Sequence, residues 1–188
     1  MNEVHSSNLS TTQRDTDRPL RFEIAILRGT RRLETPWLTA SMRGITFLGS
    51  GTCWTLFSLV LIFAAMKIVG MGVGIGLSAL AGALTAKLIK YSVRRPRPTT
   101  DPACPPALSE LPDPWAFPSG HTLAAFTVCG GLFLVGSPWA FLAVVFACLV
   151  GCSRIYLGVH YPTDVLAGAL FGSLLSWALH PAMTIFLA

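Results

Sequence analysis

Uncharged apolar stretches alternate with short polar ones along most of this chain. Ile45–Met66 and Ile68–Ala86 carry no charged residue, and neither do Thr122–Gly136, Pro138–Cys152 and Val165–Leu187. At about 1.5 Å per helical residue, some 20 residues cross a hydrocarbon core of about 30 Å. The pattern predicts an all-α, polytopic membrane helix bundle of about five transmembrane helices, because lipid leaves a non-helical backbone unsatisfied. Pro19–Ala40 reads differently. Leu20, Ile24 and Leu27 fall on one side of a helix, with Arg21, Arg28 and Arg32 about a quarter-turn away. That segment is too charged to span and predicts an interfacial amphipathic helix. The chain then divides into a polar segment over 1–18, expected to be disordered, an interfacial segment over 19–43 and a membrane-embedded domain over 44–188. No secretory signal is expected, because the first apolar stretch begins so far in.

Composition supports this. The chain is 52% hydrophobic and 12% charged, against about a quarter charged in soluble domains. Its net charge of +5 comes from basic residues flanking apolar stretches. That placement suits lipid headgroups or a phosphorylated ligand, and no nucleic-acid partner is expected. Cys53, Cys104, Cys129, Cys148 and Cys152 form no CxxC pair. They are expected as small packing residues, with Cys148 and Cys152 on one helix face and no disulfide framework. In GMGVGIG, Gly72 and Gly76 have the spacing of close helix packing rather than of a nucleotide loop.

Topology brings the polar clusters together. Five alternating spans place the proline-rich loop Tyr91–Ser119 on one side of the membrane, expected as a structured cap. Lys90 with Arg97, Ser119 with His121, and Arg154 with His160 and Asp164 then meet on that face. Asp164, at the end of a span, is a functional candidate by default. Lysine and arginine suit phosphate oxygens; Arg94 and Arg95 are expected to anchor headgroups and Arg154 to bind a ligand. Ser119 is expected as the N-cap of a helix whose free amides favour an anion, with Gly120 allowing close approach. Pro162 predicts the start of the last helix. His160 and Asp164, four residues apart, allow the carboxylate to fix one ring nitrogen and free the other as a nucleophile or base. Two histidines beside a cationic cradle suggest phosphoryl transfer without a metal or other cofactor.

Three segments carry a resemblance. Lys90-YSVRRP-Arg97-Pro98, Pro118-Ser119-Gly120-His121 and Ser153-Arg154-IYLGV-His160-YPT-Asp164 resemble, in order, the three motifs of the type-2 phosphatidic acid phosphatase family. That family shares a core with bacterial acid phosphatases and vanadium haloperoxidases. The resemblance implies that His160 is a nucleophile forming a phosphohistidine, that Asp164 orients it, and that His121 is the general acid and base. Lys90, Arg97, Ser119, Gly120 and Arg154 would cradle the phosphate. The expected activity is hydrolysis of a lipid phosphomonoester or diphosphate of the phosphatidic acid, phosphatidylglycerophosphate or polyprenyl type. A lipid-to-lipid phosphotransferase and a non-catalytic anionic-lipid binding or transport protein are the alternatives. Membrane members commonly have six spans where five are read here, the first being replaced by the amphipathic segment. A bacterial cytoplasmic membrane is expected, and all lysines and arginines but Lys67 fall on the motif side, which points that side toward the cytoplasm.

Overall fold

Every regular element in the computed structural model is helical, among the described residues 19–64, 69–111 and 113–187. The polar segment 1–18 lies outside the described residues. Seven α-helices follow in these residues: α1 (Arg21–Arg31), α2 (Pro36–Leu48), α3 (Gly51–Ala64), α4 (Val69–Val93), α5 (Gly120–Leu134), α6 (Ala140–Tyr156) and α7 (Pro162–Leu187). A single 3-10 turn, Pro98–Thr100, sits in the loop between α4 and α5.

The amphipathic segment is not one helix. Thr35 caps α2 by accepting a hydrogen bond from the Leu38 amide at 3.3 Å, and Pro36 occupies the first turn. A residue before proline avoids helical backbone, so the chain breaks there and restarts. The expected hydrophobic face also shifts. Leu27 is fully buried, but Leu20 is 53% exposed and the buried partner of Leu27 is Glu23.

The first apolar stretch is likewise broken. Helices α2 and α3 meet at a 56° bend around Gly49 and Ser50. A Cβ on Gly49 would lie 2.6 Å from a Val150 methyl carbon, so only glycine lets α2 press onto α6 at this point. Among the described residues α4 and α7 are long and apolar enough to cross a membrane, and the bent pair makes a third if taken as one span. Helices α5 and α6 are apolar but shorter.

Helix α5 is the hub, packed against α4, α6 and α7. The α4–α5 layer buries Ile75, Ala79 and Val128, and the α5–α6 layer buries Ala125, Cys129, Ala147 and Val150. Gly72 and Gly76 abut Ser58 of α3, the close packing their spacing predicts. Helix α7 turns Leu166, Leu170, Leu174 and Trp177 outward, a lipid-facing stripe. Cys148 and Cys152 are also exposed on α6, so of the five cysteines only Cys129 is a fully buried packing residue.

The α5–α7 contact fixes the end of the bundle where the motifs lie. A Cβ on Gly172 would sit 2.5 Å from the Leu123 carbonyl oxygen and 2.8 Å from the Phe126 Cβ. Overpacking of this kind costs about 1–3 kcal/mol. Gly172→Ala should therefore lower the melting temperature in detergent. Gly29→Ala, with nothing within 4 Å, should leave it unchanged or raise stability by up to about 1 kcal/mol.

Candidate active site

Three chain segments deliver charged side chains to one end of the bundle. The last turn of α4 carries Lys90, the loop after it Arg97, and the first turn of α5 His121. The end of α6 carries Arg154, with His160 and Asp164 at the entry to α7. Lys90, Arg97, Gly120, His121 and His160 line one cavity of about 540 Å³, together with Ala83, Ala86 and Ala124. A second cavity of about 570 Å³ reaches His121 and Arg154 from the side of Arg43 and Leu108. His121 lines both cavities.

His160 is 1% exposed. Its Nε2 lies 3.2 Å from Arg97 Nη1. A guanidinium only donates, so Nε2 accepts and the ring proton sits on Nδ1. Nδ1 faces Asp164 Oδ2 at 3.6 Å, within ion-pair range and longer than a hydrogen bond. Among the described residues this Nδ1 is buried without a hydrogen-bond partner. Burial, reinforced by the Arg97, Arg154 and Lys90 charges, holds the imidazole well below its ordinary pKa. It is neutral at pH 7, so Nε2 keeps its lone pair, which in this geometry accepts from Arg97 and is released for attack only as that guanidinium turns to another acceptor such as a phosphate oxygen.

Asp164 is fully buried. Its Oδ2 accepts from the Tyr161 amide at 2.8 Å and its Oδ1 from Arg95 Nη1 at 2.7 Å. Ser119 is the N-cap of α5 without a side-chain cap bond. Its hydroxyl accepts instead from Thr122 Oγ1 at 2.9 Å, and its amide donates to the Asp164 carbonyl at 3.0 Å. Ser119 lines neither cavity; its backbone ties α5 to α7. A Cβ on Gly120 would make only ordinary contact, 3.6 Å from Ala86. The neighbouring protein atoms leave room for a Cβ there, and Gly120 itself lines the cavity.

Sequence reasoning misses four contributors. Asp113, from the proline-rich loop, accepts from Lys90 Nζ at 2.9 Å on both oxygens and from Arg97 Nη2 at 3.0 Å. Burial pushes its pKa up, but the Lys90 hydrogen bond and the Arg97 and Lys90 charges bring it below the ordinary value. Arg95 is not a headgroup anchor: it bridges Asp164 and Glu23. Thr46 accepts from Arg154 Nη1 at 3.1 Å. The available signals were an acid on the apolar face of α1, a second arginine in RRPR, and an acid shortly before PSGH.

Comparison with known proteins gives a consistent result. The family model described as the PAP2 superfamily matches residues 67–186. Phosphatidylglycerophosphatase B of Bacillus subtilis is 32% identical over 80% of this chain and 78% of its own. Undecaprenyl-diphosphatase of Sulfolobus acidocaldarius is 33% identical over 64% of this chain and 58% of its own. The crystal structure of a transmembrane PAP2-type phosphatidylglycerolphosphate phosphatase from Bacillus subtilis superposes with TM-score 0.72. That match is 29% identical and covers 100% of this chain and 89% of the other. Aquifex aeolicus LpxE gives TM-score 0.61 at 27% identity, covering 85% of this chain and 94% of its own.

The lowered pKa of His160 has a stability consequence. The unfolded chain takes up a proton near 6.5, while the folded state resists it. The unfolded state then binds more protons, so stability is full above pH 6.5 and falls as pH drops toward the folded pKa. Thermal unfolding in detergent from pH 7.5 to 5 should show this fall, with at most about 1.4 kcal/mol per pH unit due to this one group. His160→Asn should make the fall shallower without abolishing it, because His121, its pKa lowered to about 3 by burial, contributes with the same sign.

Proposed function

The chain belongs to the PAP2 superfamily, and on that premise we propose how its converging charges act on a lipid phosphate. It is a membrane lipid phosphatase. Its substrate is a phosphomonoester or diphosphate carried by a lipid, and its site runs through a phosphohistidine. The convergence of Lys90, Arg97, His121 and His160 on one cavity carries this reading. The alanine-lined wall of that cavity favours an apolar tail beside the phosphate.

His160 Nε2 attacks phosphorus as the bond to the lipid oxygen breaks. His121, which burial and the surrounding cations hold neutral before substrate binds, with a pKa lowered to about 3, gives that oxygen the proton it takes up together with the phosphate dianion. The Nδ1 proton stays on the ring, and Asp164 stabilises the charge that develops there. Water then attacks the phosphohistidine, with His121 taking its proton, and phosphate leaves with His160 neutral again. Lys90, Arg97 and Arg154, with the free amides at the start of α5, neutralise the equatorial oxygens. That is the role a metal fills in many phosphoryl-transfer sites, and here the chain's own cations supply it.

Two further assignments are part of the proposal. The protein sits in a bacterial cytoplasmic membrane, and the site faces the cytoplasm. The second rests on Arg21, Arg28, Arg31, Arg32 and Arg43, basic residues outside the motifs on the helices that pack at the site end.

The purified protein should release phosphate from phosphatidic acid, phosphatidylglycerophosphate or a polyprenyl phosphate or diphosphate, undiminished by EDTA. His160→Ala should abolish release, and His121→Ala should lower it roughly 10²–10⁴-fold. Full turnover by His160→Ala across that panel would overturn the mechanism. For the membrane face, Glu110 is exposed in the proline-rich loop. In a variant whose only cysteine is Glu110→Cys, an impermeant thiol reagent should label only after the cells are opened. Labelling of intact cells would place the site outside.

A further inference from the structure

Glu23 is a carboxylate with no solvent exposure, on a helix outside the family-model match at 67–186. Its Oε2 accepts from the Leu20 amide at 2.8 Å and from Arg95 Nη2 at 2.8 Å. Its Oε1 accepts from the Thr163 hydroxyl. Thr163 Oγ1 in turn accepts from Arg95 Nη1 at 2.7 Å, and the same Nη1 donates to Asp164 Oδ1 at 2.7 Å. Glu23, Arg95 and Thr163 thus close a hydrogen-bonded ring, and Asp164 hangs from its arginine. The Arg95 guanidinium also lies 4.3 Å over the Tyr161 ring.

Capping the first turn of α1 uses one lone pair of Glu23 and accounts for nothing else in this ring. A surface glutamate does the same job without burial. Here the carboxylate is taken wholly out of water, which is costly unless its charge is matched, and the matching cation is the one that holds Asp164. Two buried carboxylates share one arginine, so each sets how strongly that arginine holds the other.

We propose that Glu23 and Arg95 are positioning residues for the reaction, and that helix α1 acts through Arg95 on the carboxylate that aims His160. The inference rests on the reading of His160 as the nucleophile. Arg95 fixes the Asp164 carboxylate in place so that Oδ2 is presented to His160 Nδ1. Glu23 fixes Arg95 and offsets part of its charge. Neither residue lines the catalytic cavity, so both act on the chemical step and not on phosphate binding.

The variants are Glu23→Gln, Arg95→Met and Arg95→Lys, with His160→Ala in parallel. They are assayed in detergent for kcat, KM, inhibition by inorganic phosphate, and the acid limb of kcat/KM. Glu23→Gln and Arg95→Met should lower kcat at least tenfold, while KM and the phosphate inhibition constant move less than threefold. The acid limbs should move in opposite directions. Removing the arginine charge makes His160 easier to protonate and raises its limb; removing the Glu23 charge lowers it. Arg95→Lys should keep the wild-type limb at reduced kcat. A merely structural role would lower melting temperature without moving either limb. If Glu23→Gln does not fold, Thr163→Val opens the ring at its hydroxyl and should lower kcat with KM unmoved. Folded Glu23→Gln and Arg95→Met proteins with kcat within twofold of wild type and unmoved limbs overturn the proposal, provided His160→Ala is inactive. An active His160→Ala overturns the nucleophile reading itself, and this proposal with it.

Discussion

Burying like charges is the constraint around which the rest of this molecule is arranged. Lys90, Arg97 and Arg154 are 8%, 1% and 2% exposed, close together at one end of an apolar bundle. Each loses its hydration and gains cationic neighbours, at an effective cost of several kcal/mol per ion. The loop between α4 and α5 answers that cost. Asp113 pairs with two of the three, the Trp115 carbonyl takes a further Lys90 bond at 2.9 Å, and the Asp113 carbonyl accepts from Arg97 Nε at 2.7 Å. The loop must be ordered to do this, and it is. Pro96 and Trp115 pair across it, and Arg28, Arg31 and Arg43 each bond one of its carbonyls. The proline-rich segment is therefore part of the electrostatic frame and not a linker.

The compensation is uneven. Lys90 and Arg97 share a carboxylate and several carbonyls, whereas Arg154 is held through Thr46, and its Nε is buried without a partner among the described residues. An anion entering beside His121 meets one wall where two cations share a single carboxylate and another where Arg154 has none among the described residues. A phosphoryl group, with oxygens on several sides, complements that asymmetry better than a single carboxylate does.

Much of this was legible in the chain. Apolar patterning and the three spaced motifs were enough to bring Lys90, Arg97, His121, Arg154, His160 and Asp164 to one face, because alternating spans leave few ways to place the connecting turns. What escaped has a common cause. Periodicity reports which residues avoid water and is silent on which charges are matched inside. Glu23 lies within a helical stripe defined by Leu20 and Leu27, and such a stripe is read from its apolar members. Arg95 sits in a basic run that looks like a membrane-surface cluster until its partners, 72 and 69 residues away, are in place. The break at Gly49 lies inside the apolar run Ile45–Met66, whose length outweighs a local glycine signal, and the break at Pro36 lies inside a stripe that reads as continuous from its apolar members.

The bond between the first and last helices has a consequence for how the protein is made. Glu23 and Thr163 are 140 residues apart. A chain entering the membrane from its N-terminus completes α1, then the arginine loop, and only at the end the residues that join them. Until α7 arrives, Glu23 has the Leu20 amide and Arg95, and the other two bonds of the ring are missing. Contacts of such long sequence separation form late, after the loop-closure entropy has been met. The cationic residues are thus made before the carboxylate that arms the site, and it is the arrival of α7 that gathers both. A chain stalled before Asp164 lacks both the carboxylate and the helix that hold the site end together.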